Sequence, residues 1–118
     1  KYPADRPPVF CEGDHRRRKR WFTQEGLRVL SSRLSRLRAR FGDDNAELAR
    51  VAIQYCLARD PSAVVLVGFT SPWQVEINCR ASGRPLDAEE IAFVRQVFDG
   101  IWKELGSYHL GRGERESG

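Results

Sequence analysis

The chain has 118 residues, with 20 Lys and Arg against 16 Asp and Glu for a formal net charge of +4. Its 41% hydrophobic and 31% charged residues exclude a disordered or collagen-like chain, and no apolar run approaches the ~18–20 residues of a membrane span. Cys11, Cys56 and Cys79 are too widely spaced for a disulfide framework or the C-x-x-C pairs of a zinc site, so they are expected as reduced thiols and small core residues.

Met is absent. An intact translation product begins with Met, so a processed product or a piece of a longer chain is expected, one domain at most, since domains run to roughly 100–200 residues. The basic start has neither the apolar core nor the small-residue cleavage site of a signal peptide, which makes the cytoplasm the expected location. Residues 1–22, with Pro3, Pro7, Pro8 and Gly13 among charges, carry no sustained apolar period and are expected as a long loop. The charge is uneven. Residues 1–50 hold 13 basic and 7 acidic side chains and residues 51–118 hold 7 and 9, an asymmetry that Arg16, Arg17, Arg18, Lys19 and Arg20 account for.

From Thr23, a candidate N-cap, Leu27, Leu30, Leu34, Leu37 and Phe41 recur at the spacing of an amphipathic helix closed by Gly42. Asp44 or Asn45 caps a second helix through Leu48, Val51, Ala52, Tyr55 and Cys56, which Pro61 bars from continuing. Ala63-Val64-Val65-Leu66-Val67 is an unbroken apolar run ended by Gly68, and such a run is expected as a strand buried on both faces, as in a parallel sheet. Ser71 and Pro72 supply an N-cap and first-turn proline for a short helix that Gly83 and Pro85 stop. Asp87-Ala88-Glu89-Glu90 reads as a capping box opening a last helix with the stripe Ile91, Val94, Phe98, Ile101 and Leu105. Tyr55 and Trp102 are expected in the core, and residues 106–118 as a flexible tail. One buried strand needs ladder partners on both sides, so its neighbours are expected in sequence upstream.

The chemistry gathers after that strand, in Gly68-Phe69-Thr70-Ser71-Pro72-Trp73-Gln74-Val75-Glu76-Ile77-Asn78. Glycine at a strand's carboxyl end permits close backbone approach, and a helix N-terminus offers free N–H groups and a positive dipole end to an anion. Hydroxyls at Thr70 and Ser71 add donors. Gln74 and Asn78, four apart, share a helical face and can present amides to a purine edge. The plainer reading of the same residues is a capped helix with two surface amides.

These residues carry a resemblance. The stretch from Leu48 to Val97, above all Val64-Val65-Leu66-Val67-Gly68-Phe69-Thr70-Ser71-Pro72 with Gln74-Val75-Glu76, Asn78 and Pro85-Leu86-Asp87, resembles the C-terminal end of the aldo-keto reductase family. Lys1-Tyr2 and Glu12-Gly13-Asp14-His15-Arg16 are similar to the run after that family's seventh barrel strand and to the loop that follows it. The resemblance implies an α/β fold, the C-terminal part of a (β/α)8 TIM barrel, mostly helical in this segment with one buried parallel strand over 63–67. It divides the chain into a cofactor-covering basic loop (1–22), the last helices and final strand (23–105) and the tail.

It further implies an NAD(P)-dependent oxidoreductase acting on aldehydes, ketones or sugars, with NADP or NAD as cofactor and a small carbonyl or sugar as substrate. Carried over, the turn Gly68, Phe69, Thr70 and Ser71 lies against the adenosine, with Gly68 and Thr70 at the 2′-phosphate and ribose. Gln74 and Asn78 hold the adenine, and Lys1 and Arg16 lie over the phosphates. Such a location, at the C-terminal face of the strands, is where a barrel places its ligands. Thr70 stands where NADP-preferring members often carry Arg or Lys, and Ile77 where a Glu commonly accepts from the adenine amino group. The family's catalytic Asp, Tyr, Lys and His match none of Tyr2, Tyr55, Tyr108, Lys103, His15 or His109, so the segment alone is expected to be catalytically silent.

Two other classes compete. The run from His15 to Phe22, basic with adjacent aromatics, fits a nucleic-acid contact, against which stand the acidic balance of the remaining chain and the modest total charge. A truncated, non-catalytic product would instead be an interaction module that binds a partner through its unpaired strand.

Overall fold

A computed structural model describes residues 2–106. Four helices follow one another: α1 (Gln24–Phe41), α2 (Asn45–Leu57), α3 (Pro72–Arg80) and α4 (Ala88–Leu105), with 3-10 turns at His15–Arg18 and Arg20–Phe22 before them. Their ends are set by the side chains that the sequence offers for the purpose. Thr23 Oγ1 accepts from Gly26 N–H at 3.0 Å to open α1, and Gly42, at φ +96°, closes it with its N–H on the Arg38 carbonyl at 2.8 Å. Asp44 caps α2 through Ala46 N–H at 2.9 Å. At α4 the capping box is reciprocal: Glu90 N–H donates to Asp87 Oδ1 at 2.8 Å, and Asp87 N–H to Glu90 Oε2 at 3.0 Å.

The expected strand over 63–67 does not form, and among the described residues there is no strand at all. Hydrophobicity alone cannot make a strand, because its N–H and C=O groups need neighbours. Among the described residues the N–H groups of 64–69 have no backbone partner. The run is an irregular connection between α2 and α3, with Val64 84% and Leu66 93% exposed. The described residues are thus helical rather than α/β.

The chain divides into two compact units, one of the residues up to Ser35 together with those from Val97, the other Arg36–Gln96. In the first, Leu27, Val97, Ile101 and Leu105 are buried. Trp21 meets Trp102 edge to face at 5.8 Å, and Arg20 Nη1 donates to the Leu105 carbonyl at 2.9 Å. The loop before α1 has a small aromatic cluster, Tyr2, Phe10 and Phe22, with T-shaped contacts of 5.0 to 6.3 Å.

In the second unit, Leu37, Val51, Ala81, Leu86 and Val94 are buried, and α2 packs against α3. Two polar side chains of α2 are buried as well, and both are satisfied. Gln54 Nε2 donates to the Ala81 carbonyl at 2.7 Å. Arg50 forms a fork with Glu47, at 2.9 and 2.5 Å, and also donates to the Arg84 carbonyl. Arg84 in turn holds the Glu90 carboxylate from two nitrogens, at 2.9 and 3.1 Å, which with the Asp87 N–H keeps that carboxyl below the ordinary range. These bonds fix the 81–87 loop between α3 and α4.

The helical stripes are buried at Leu27, Leu37, Val94, Ile101 and Leu105, while Leu30, Leu34, Phe41, Ile91 and Phe98 are half-buried. The cysteines depart from expectation. Cys11, Cys56 and Cys79 are all exposed thiols, because Cys56 and Cys79 fall on the solvent sides of α2 and α3 and Cys11 in the loop. Trp102 likewise is 45% exposed, its ring laid along the surface against Trp21. The tail expected over 106–118 lies outside the described residues except for Gly106, whose φ of +67° ends α4.

Candidate functional site

The expected site residues fall into two groups. Gly68, Phe69, Thr70, Ser71, Gln74 and Asn78 belong to the Arg36–Gln96 unit, whereas Arg16 belongs to the other unit and Lys1 lies outside the described residues.

In the first group the sequence dictates the local geometry closely. Ser71 has the extended backbone of an N-cap (φ −148°, ψ 154°), Pro72 occupies the first turn, and Ser71 Oγ accepts from Gln74 N–H at 3.3 Å. The carboxamide of Gln74 then reaches back over the turn. Its Oε1 accepts from Thr70 N–H at 2.6 Å and from Thr70 Oγ1 at 3.1 Å. This is a capping box widened by one residue: the side chain three residues into the helix satisfies a donor just before the cap.

Gly68, Phe69 and Thr70 are exposed, and Ser71, Gln74 and Asn78 half-buried. Phe69, Thr70, Ser71, Pro72 and Val75 line an open hollow of about 570 Å³, a size within the usual range for small-ligand sites, ~300–1,000 Å³. Three of its five walls are apolar, and its polar atoms are the two hydroxyls and the adjoining backbone. Pro72 and Val75 are not among the expected site residues; both enter the hollow because they stand on the first turn of α3 beside Ser71. Trp73, 60% exposed, is not among the lining residues.

Arg16 is held firmly within the loop. Its Nε donates to both carboxylate oxygens of Asp14 at 3.1 Å, its Nη2 to Oδ2 at 2.6 Å, and its backbone N–H to Oδ1 at 2.9 Å. The guanidinium also lies over the Phe10 ring, 4.3 Å from its centroid. Nη1 takes no part in the Asp14 pair. Arg16 and Arg20 are therefore engaged within the loop's own unit, while Arg17 and Arg18 are exposed. That division does not resemble a continuous phosphate-binding face.

The Arg16 guanidinium, with the Arg16 N–H, lowers the Asp14 carboxyl from 3.8 to about 2. The folded value lies below the ordinary one, so the pair stabilises the loop fully above the ordinary carboxylate range. That contribution fades as pH falls through about 2. A carboxyl-carbon NMR titration is expected to place the Asp14 midpoint near 2 and to return it toward 3.8 in Arg16→Gln; an ordinary midpoint in the unaltered protein contradicts the pair.

Among the described residues no group of three or more His, Cys, Asp and Glu is arranged to hold a metal ion, and no helix is long and apolar enough to cross a membrane. A family model, Aldo/keto reductase family, matches residues 6–99, about four-fifths of the chain. No curated protein and no solved structure matches it.

Proposed function

Because the chain belongs to the aldo/keto reductase family, we propose that its turn at 68–71 and the first turns of α3 bind the adenosine end of a nicotinamide dinucleotide. The observation that carries this reading is the Ser71-capped start of α3 opening on the hollow of Phe69, Thr70, Ser71, Pro72 and Val75. The Ser71 hydroxyl and the Trp73 N–H at this helix start, together with the N–H groups of the turn before it, give a nucleoside hydrogen-bonding partners. Phe69, Pro72 and Val75 give ribose and purine apolar walls, the usual composition of a cofactor pocket. Asn78, one turn beyond Gln74, carries the donor and acceptor pair that matches the N6/N7 edge of adenine.

When bound, the dinucleotide would give a hydride to the carbonyl carbon of a small aldehyde, ketone or sugar, or its oxidised form would take one from the corresponding alcohol. This chain's residues hold its adenosine. The (β/α)8 barrel is what membership of the family implies; its remaining strands would pair with 63–67, and its catalytic Asp, Tyr, Lys and His would come from those strands. Residues 1–22, with Arg16 held by Asp14 and Phe10, correspond to the loop that membership of the family implies over the cofactor. A cytoplasmic setting, where nicotinamide dinucleotides are abundant, suits this role.

Asn78→Ala in the full chain is expected to weaken dinucleotide binding a few-fold to about tenfold, because a lost hydrogen bond is worth ~0.5–1.5 kcal/mol. Isothermal titration with reduced dinucleotide reads this directly, and an unchanged affinity removes Asn78 from the site.

A further inference from the structure

We infer that the half-site at Thr70 and Ser71 selects the dinucleotide whose adenosine carries a free 2′-hydroxyl over the one that carries a 2′-phosphate. The inference rests on the cofactor reading above and narrows it. The carrying observation is that Gln74 Oε1 accepts from both the N–H and the hydroxyl of Thr70. Thr70 has no donor left for an oxyanion. What its hydroxyl still offers is lone pairs, which a ribose hydroxyl can use by donating to them. A phosphate at neutral pH, all acceptors, finds no donor on Thr70.

The start of α3 does not compensate. Pro72 has no N–H, and the N–H groups of Gln74 and Val75 already donate to the Ser71 carbonyl at 3.1 and 3.3 Å. Of the first four residues of α3, Trp73 alone keeps an N–H without a partner among the described residues. With the Ser71 hydroxyl and the N–H groups of Gly68, Phe69 and Ser71, which likewise have no backbone partner among the described residues, the donors left at the turn are all neutral, against a dianion. No side chain lining the hollow is charged. Arg80, the basic residue of α3, stands in its last turn and is paired with Glu76 at 2.5 Å. A phosphate brought out of water needs charge-assisted bonds to replace its hydration, whereas a hydroxyl needs one acceptor.

The test is a set of calorimetric titrations of the full chain with NADH, NADPH, adenosine 5′-monophosphate and adenosine 2′,5′-bisphosphate. The two fragments probe the half-site without the nicotinamide. NADH is expected to bind about tenfold or more tighter than NADPH, and the monophosphate tighter than the bisphosphate. Gln74→Leu frees both Thr70 donors and is expected to narrow the two ratios several-fold; Thr70→Lys, which supplies a cation, is expected to narrow or reverse them. Melting curves confirm that each variant is folded. Equal or tighter binding of the 2′-phosphorylated ligands by the unaltered chain overturns the inference while leaving the cofactor reading intact. Ratios unmoved in both folded variants overturn it too. Binding of none of the four ligands removes the cofactor reading itself, and the inference with it.

Discussion

Ile101→Ala is expected to destabilise the chain by about 2–5 kcal/mol, the usual cost of removing three carbons from a closed aliphatic site. Ile101 has no exposed surface, and Val97 and Leu105, within one turn of it on either side, are 0% and 1% exposed. The loss combines the transfer of the missing atoms to water with the cavity left behind, and a site this closed cannot collapse by moving one surface residue. For comparison, Val9 is 97% exposed, and Val9→Ala should fall within about 0.5 kcal/mol of neutral. Urea unfolding monitored by circular dichroism distinguishes the two. Equal midpoints for the two variants would show that the buried stripe of α4 does not hold the unit together.

The second large effect has a sign opposite to what helix propensity predicts. Glycine inside a helix ordinarily costs ~0.5–1 kcal/mol relative to Ala, so Gly→Ala is a standard stabilising change. At Gly26 in α1, however, a Cβ would lie 2.2 Å from the Arg20 carbonyl oxygen and 2.9 Å from the Trp21 Cα. Both are backbone atoms of the 3-10 turn at Arg20–Phe22, so relief requires the turn to move off the helix. Gly26→Ala is expected to destabilise by about 1–3 kcal/mol, the range for overpacking. Gly100 in α4 supplies the control. There the nearest atoms, at 2.9 Å, belong to the end of the Arg33 side chain, which can swing aside at the expense of its exposed ion pair with Glu104, a pair worth ~0–1 kcal/mol. Gly100→Ala should be neutral or slightly stabilising. Melting temperatures that rise in both variants would refute the close approach at Gly26.

The helices were legible because each carries its own instructions. Thr23 and Gly42 bracket α1, Ser71 and Pro72 start α3, and Asp87 with Glu90 opens α4, all through bonds spanning four residues or fewer. The stretch 63–67 was misread for the complementary reason. Its composition reports what it would bury against, and a strand exists only with the neighbours that take its hydrogen bonds. The cysteines were misplaced because Cys is commonly buried, whereas the position on a helix decides the side a residue faces. At the candidate site, Ser71-Pro72-Trp73-Gln74 is the S-x-x-Q pattern of a capping box. That signal was present in the sequence, and it assigns the Gln74 oxygen to the turn where the chemical reading had assigned it to a purine. The burial of Arg50 and Gln54 left no comparable trace, because their partners are carbonyls of Arg84 and Ala81, about thirty residues away.

The unpaired amides of 64–69 make this connection a natural reporter. Hydrogen exchange of an amide slows only when its N–H is engaged, and residues here with no backbone partner should trade with deuterated solvent at close to the rate of an unstructured peptide. Should other strands come to lie alongside, the same few positions would become the slowest in the segment, as central strands of a sheet open only with global unfolding. A single peptide covering 64–69, followed by mass spectrometry, thus distinguishes a chain standing by itself from one built into a closed barrel.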